Sequence, residues 1–315
     1  NALKQLFTFA FALVFMTGAA FAQNNEADIK QGYRYSDGST VDGGDDVDLL
    51  QVAGGSNDAT IYQGSGENVV TGLNGAFTQQ DRSELTIRQD YGSGMGNIVR
   101  GEQLGSRNEA RITQHNSGLA EVEQDGLLNE LFLQQYNGTR NRFFSEQDGD
   151  RNYIEFIQRG SVDGSYADIV QDGNRNRVDG LSTISSTSTF LGGLANYSSL
   201  TFDGRAEQQS GDQTLYLEQD GDRNEFYMSQ DGGASLGENL VRLEQRDGAY
   251  AEVLQIGNGN LIRGENNPMA VSNDSDLFVS QQGDMNTLRF DQLTTGNTLE
   301  VTQWGNESTT KVQQN

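Results

Sequence analysis

Apolar and polar residues alternate along most of this chain, and the alternation is punctuated at regular intervals. In Gln147-Asp-Gly149-Asp-Arg-Asn152-Tyr-Ile154-Glu-Phe156-Ile-Gln158, residues Asn152, Ile154, Phe156 and Gln158 share one face. Tyr153, Glu155 and Ile157 share the other. A period of two predicts a short strand whose inward face is apolar in the middle and carries an amide at each end. Gly149 falls where a tight turn needs a residue without a Cβ.

The same formula, Gln-x-Gly-x-x-Asn with a second Gln eleven residues after the first, recurs. Full copies begin at Gln103 (Gly105, Asn108, Gln114), Gln124 (Gly126, Asn129, Gln135), Gln147, Gln219 (Gly221, Asn224, Gln230) and Gln281 (Gly283, Asn286, Gln292). Looser copies run from Gln292 to Gln303, with Asn297 but Thr294 in the glycine slot, and from Gln303 to Gln314, with Gly305 but Ser308 in the asparagine slot. Gln208 to Gln219 puts Gln213 in the asparagine slot. The copies opening with Gln171 (Gly173) and Gln255 (Gly257) close on Ser182 and Asn266. One such unit is too short to bury its own apolar face. Two are expected to form a coil of about 22 residues, with coils stacked about 4.8 Å apart. The fold class expected is all-β: a parallel, amyloid-like β-solenoid of strand-turn-strand coils with two facing sheets.

Stacking explains the choice of inward polar residue. A primary amide both donates and accepts, so a column of amides at strand spacing satisfies itself. Ionised carboxylates at that spacing would repel by roughly 0.9 kcal/mol per neighbouring pair even in water. Asp148, Asp150, Asp220 and Asp222 are accordingly expected in turns, as solvated charge that keeps chains apart.

Composition narrows the class. Thirty-nine glycines accompany a single proline, and the glycines follow the repeat, so they mark turns rather than a linker or a collagen triplet. A formal charge of −24 and the lack of a basic patch argue against nucleic acid as a partner. Without cysteine there is neither a disulfide framework nor thiolate chemistry. Lys4, the apolar run Leu6 to Phe15 and the small residues ending at Ala22 make residues 1–22 a secretory signal peptide, with no membrane-spanning segment expected later. Residues 23–45 are expected to be a flexible acidic leader, and 46–315 the repeat domain, interrupted by an irregular Ser/Thr-rich insertion near 182–199. The repeat runs to Gln314 with no polar cap, so the strand holding Val312 and Gln314 is expected to offer an unblocked edge.

Candidate chemistry is sparse. Asp148-Gly-Asp150-Arg-Asn152 resembles a calcium loop, but Tyr153 and Arg159 stand where an EF-hand needs Gly and Glu. His115 and Trp304 each follow a repeat glutamine in a turn. No catalytic residue, metal ligand or cofactor is expected. The site expected is the amide column itself together with the turn glycines.

The turn Gln255-Ile-Gly257-Asn-Gly259-Asn260, Ala110 after Asn108, and Ser308 to Gln314 resemble the curlin repeat, Ser-x5-Gln-x-Gly-x-Gly-Asn-x-Ala-x3-Gln. The resemblance spans most of Val47–Gln314. Asn replaces Ser at most strand starts, and Ile, Leu, Val or Phe often replaces Ala. It implies an extracellular, cell-surface amyloid fibre subunit of a Gram-negative bacterium, built as a head-to-tail homopolymer. It also implies export by the general secretory route, an outer-membrane secretion pore and a nucleator subunit as partners. Whether this chain would be the main subunit or the nucleator stays open. The rival readings are a monomeric secreted solenoid acting as a binding or adhesin module, and a β-helix carbohydrate-active enzyme using one of the many acid pairs.

Overall fold

The computed structural model describes residues 25–31, 46–52, 56–64, 67–73, 75–89, 96–114, 118–136, 141–159, 166–180, 206–209, 213–231, 239–264 and 269–314. The signal-peptide reading, His115, Ser182, Asn266 and the insertion at 182–199 lie outside them. The described residues form strands and turns with no helix, arranged in a 12-stranded sheet (sheet A) and a 14-stranded sheet (sheet B). Every pairing is parallel and joins like positions: Gln147 of the strand Arg142–Asp148 pairs with Gln124 on one side and Gln171 on the other. The chain alternates between the sheets and climbs one strand spacing per coil. The fold is a parallel β-solenoid.

A coil takes about 25 residues rather than 22. The reason lies in the corners. Going from sheet B to sheet A, Gln124 and Gln135 are separated by the tight eleven-residue unit, but the return from Gln135 to Gln147 and from Gln158 to Gln171 is longer. The formula also changes sides. Gly105, Gly126, Gly149, Gly173 and Gly221 stack at the corner leading into sheet A, whereas Gly257, Gly283 and Gly305 stack at the opposite corner.

Three features depart from the sequence reading. Residues 26–31, expected in a flexible leader, form a strand paired with Asp58–Gln63, although all six side chains are exposed. The irregular insertion interrupts a strand rather than a turn. Arg177–Gly180 pairs with the first half of Tyr153–Arg159, and Ala206–Gln209 pairs with its second half. Leu261–Arg263 and Ala270–Asn273 divide another level in the same way against Asn239–Arg246. Register survives because each half matches its own ladder partner. Finally, Ile157 occupies an outward register position but is fully buried, as are Leu254 and Ser280 farther along that column. Alternation alone does not predict that.

The core is one layer of side chains trapped between the sheets. Each strand contributes at most two apolar residues, such as Ile154 and Phe156 from sheet A facing Phe143 from sheet B, with the two phenyl rings 5.3 Å apart. A large residue stacks on a small one at Gly101, beside Phe77 in sheet B: an added Cβ would lie 2.1 Å from the Val122 carbonyl oxygen and 3.1 Å from the Phe77 ring. A core this thin yields little burial per coil, so the polar ends of each strand have to be satisfied too.

The turn glycines are required by contact as well as by conformation. Gly149 has φ +107°, and a Cβ there would lie 2.1 Å from the carbonyl oxygen of Gly173 in the next coil. A second left-handed residue, absent from the sequence reading, stands just before the turn asparagine: Arg107 (φ 60°), Leu128 (61°), Arg151 (62°), Arg175 (62°) and Arg223 (63°), then Met285 at the other corner, where Glu307 does the same before Ser308. Glycine fills that slot at Gly259, at Gly296 before Asn297 and at Gly248 before Ala249. The left-handed conformation costs an L-residue roughly 1–2 kcal/mol, more than glycine loses through its looser unfolded chain. Arg151→Gly is therefore expected to stabilise the fold by about 0.5–1 kcal/mol, read as a higher denaturant midpoint at unchanged slope. A lower midpoint would mean that the arginine side chain holds the turn.

Candidate functional site: two amide columns and the strand edges

The glutamines at the ends of the strands form two columns, one per sheet. In sheet B each Nε2 donates to Oε1 of the next glutamine through Gln51, Gln79, Gln103, Gln124, Gln147, Gln171, Gln219 and Gln245 at 2.7–3.1 Å. In sheet A the series runs Gln31, Gln63, Gln89, Gln114, Gln135 and Gln158, and again from Gln230 through Gln255 and Gln281 to Gln303. All the links point one way, donor in the earlier coil and acceptor in the later. The second N–H crosses to the facing sheet: Gln147 Nε2 reaches Glu130 O at 3.3 Å, and Gln124 Nε2 reaches Glu109 O at 3.0 Å. Each column therefore binds coil to coil and sheet to sheet. One member is missing: Ser272 takes the slot between Gln245 and Gln292, and its Oγ lies 3.2 Å from Gln292 Oε1. The column resumes from Gln292 to Gln314 at 2.9 Å.

The asparagines work differently from expectation. The main contact of Asn152 is not amide to amide. Its Oδ1 accepts the backbone N–H of Asn176 in the next coil at 3.0 Å. Its Nδ2 donates back to Asp148 O at 3.1 Å, closing its own turn, and forward to Gly173 O at 2.9 Å, pinning the next one. Asn129 and Asn176 repeat the pattern, and Asn108, Asn224 and Asn286 share parts of it. The backbone amide takes the place of a second side chain because the asparagine stem is one methylene shorter. Asn297 joins no asparagine column, because Ala249 and Ser275 fill the two slots before it. Its backbone N–H reaches Ser275 Oγ at 3.2 Å, and its Nδ2 folds back onto Thr294.

Two turn acids also have a structural role beyond solvated charge. Asp150 Oδ1 accepts the backbone N–H of Leu127 in the preceding coil at 3.0 Å, and Asp222 Oδ1 accepts that of Asn174 at 2.8 Å. Asp284 does the same for Asn258 at the other corner. Trp304 is 49% exposed, beside Gln282 in register. No family model and no curated protein matches the chain.

Among the described residues, no strand pairs with the outer edges of Glu26–Gln31, Thr298–Trp304 or Thr309–Gln314. The amides at these edges are unlike. Among the described residues, Gln31 and, in the strand Leu49–Gln51, Gln51 have no donor onto Oε1; at the other end Gln314 makes one donation, to Thr298 O at 3.4 Å, while Gln303 Nε2 is engaged by Thr287 O, Ser308 O and Thr310 Oγ1. No described helix is long and apolar enough to cross a membrane.

Outward columns stack like charges. Glu102, Glu123 and Glu146 stand in register on sheet B. Partial burial and then the neighbouring Glu146 and Glu102 push the Glu123 carboxyl above the usual range. Glu218 is raised by burial and then by Glu244.

Gln147→Glu is expected to cost about 3 kcal/mol at pH 7, because an ionised carboxylate cannot donate to Gln171 or Glu130 O. Denaturant unfolding of the variant should recover part of that loss on acidification, when the carboxyl regains one donor. A pH-independent effect would argue against the ladder. A second expectation concerns the native protein. Glu123 and Glu218 have folded pKa values above their unfolded ones, so their contribution is fully present below the unfolded pKa and is lost as pH rises through the folded one. Melting temperature should rise as pH is lowered from neutral towards the ordinary carboxylate range, and rise less in the double variant Glu123→Gln/Glu218→Gln.

Proposed function

We propose that this chain is the structural subunit of a secreted, curli-like fibre that grows by stacking the last coil of one copy on the first coil of the next. The observation that carries this reading is the polarity of the amide columns. Among the described residues, the first coil offers glutamine Oε1 acceptors and the last coil a second N–H on Gln314, both beside parallel strand edges that no described strand pairs. A second copy placed at strand spacing would continue both the backbone ladders and the columns with the bonds used inside the molecule. The role is structural rather than catalytic, since the side chains the fold repeats are amides, which neither attack nor exchange protons. The curlin-like turn and strand formula supports the extracellular setting, with export, a secretion pore and a nucleator following from that likeness.

The mature chain is expected to convert to sedimentable cross-β material, faster with added salt or falling pH. About 25 net negative charges, the −24 of the whole sequence with Lys4 removed, oppose association, and the Debye length shortens to about 8 Å at physiological salt. Gln303→Ala/Gln314→Ala should slow elongation more than Glu155→Ala. A chain that stays monomeric for days with its charges screened would instead be a solenoid binding module.

A further inference from the structure

Lysine is rare in this chain, and its placement is uneven. Lys4 belongs to the segment read as a signal peptide. Lys30 stands on Glu26–Gln31, the outermost described strand of sheet A at one end of the solenoid. Lys311 stands on Thr309–Gln314, an outermost described strand of sheet B at the other end. Between residues 30 and 311 every cation is an arginine. An ammonium is a compact and strongly hydrated charge, so a lysine on an edge strand resists most strands that would pair beside it. It favours a strand that brings a carboxylate to its own rung or the neighbouring one.

Continuing each ladder by one rung, Gln303 to Gln31 and Gln314 to Gln51 of another copy, identifies those carboxylates. Asp48 precedes Gln51 by three residues, as Lys311 precedes Gln314, so exposed Asp48 would fall on the rung after Lys311. Lys311 closes a run of cations with Arg263 and Arg289 in the same outward column, and a carboxylate on the next rung offsets that run. On sheet A the same step sets Lys30 after Thr302 and Asp28 after exposed Glu300. Those two acids repel, but Lys30 Nζ is already 2.7 Å from Asp28 and would stand diagonally beside Glu300. We propose that the two edge lysines select the joint between copies: Lys311 of one copy pairs with Asp48 of the next, whose Lys30 bridges its own Asp28 and the first copy's Glu300. This inference rests on the end-to-end reading given above. Backbone ladders and amide columns hold the joint, and the charges choose which strand is admitted and in what register.

Asp48 and Lys311 lie at opposite ends of one molecule, so coupling between them reports a contact between copies. Each chain is elongated on its own fibre fragments at low salt and followed as sedimentable cross-β material. Lys311→Glu and Asp48→Lys should each elongate about threefold more slowly than the native chain, and the double variant should recover most of the native rate. Asp48→Lys is the decisive single change, because it lowers the net negative charge and overall repulsion alone would make it faster. The differences among the four chains should shrink at about 0.5 M salt, where the pair is screened. Circular dichroism checks that the variants keep their strands. In fibres grown from an equal mixture of isotope-labelled and unlabelled native chain, a carbodiimide should join Lys311 to Asp48 and Lys30 to Glu300, each amide forming with loss of water. Peptides of mixed label show that these links run between copies. The proposal is overturned if fibres form but the double variant stays as slow as the single ones, if Asp48→Lys outpaces the native chain, or if the mixed-label links are absent. Those three outcomes leave end-to-end growth standing. A chain that forms no fibre, or a mixed-label link from Lys30 to Glu26 that sets first coil against first coil, removes both.

Discussion

In-register parallel stacking places every side chain directly over its own equivalent one strand spacing away. Any residue used repeatedly must therefore tolerate itself as a neighbour. Apolar groups do, and so does a primary amide, whose N–H and C=O match the next amide in line. A carboxylate does not. This rule sorts the chain: glutamine at the inner strand ends, aliphatic and aromatic residues between them, and acids outward or at the corners. It also explains why so thin a core suffices. At levels such as that of Gln147 the polar group at the end of the inward strip is satisfied by its counterparts in neighbouring coils and by the facing backbone, whereas Asn141 Oδ1 is buried without a partner.

The columns were legible because period two within the strand and the eleven-residue step between glutamines are properties of single residues. What was not legible depends on which coil lies above. Nothing in Gln124 or Gln255 says which corner its turn will occupy, yet one leads into sheet A and the other out of it. Arg151 carries no mark of a left-handed backbone; the turn imposes it, where the curlin formula has glycine. The roles of Asp150 and Asp222 were hidden for the same reason, since their partners Leu127 and Asn174 lie a full coil earlier. The strand Glu26–Gln31 escaped because all its side chains are exposed, leaving only the ladder with Asp58–Gln63 to define it.

Mid-strand insertion follows from the same rule. A ladder rewards each residue for matching the one above, and it does not require the two halves of a strand to be contiguous in sequence. The chain can leave after Gly180 and return at Ala206 with Gln208 still in register with Gln158 and Gln230. The entropy of closing such an excursion grows only slowly with its length. A missing column member is tolerated for a related reason: Ser272 supplies a hydroxyl within reach of Gln292, so the gap is shortened rather than left dry.

Directionality is the remaining consequence. A lone amide column could run either way, but these are fixed by their second N–H. That N–H must reach a carbonyl on the facing sheet, as Gln124 does to Glu109, so the side chain cannot be turned over without losing a crossing bond. Both columns therefore run the same way, and the two ends of the molecule differ chemically although the repeats are alike. Addition of a copy in the wrong orientation would set donor against donor at the column and reverse the sense of the parallel strands. Addition in the right orientation would reproduce the bonds inside each coil. Such a polymer needs no interface distinct from its interior, and its ends stay competent whatever number of coils lies between them.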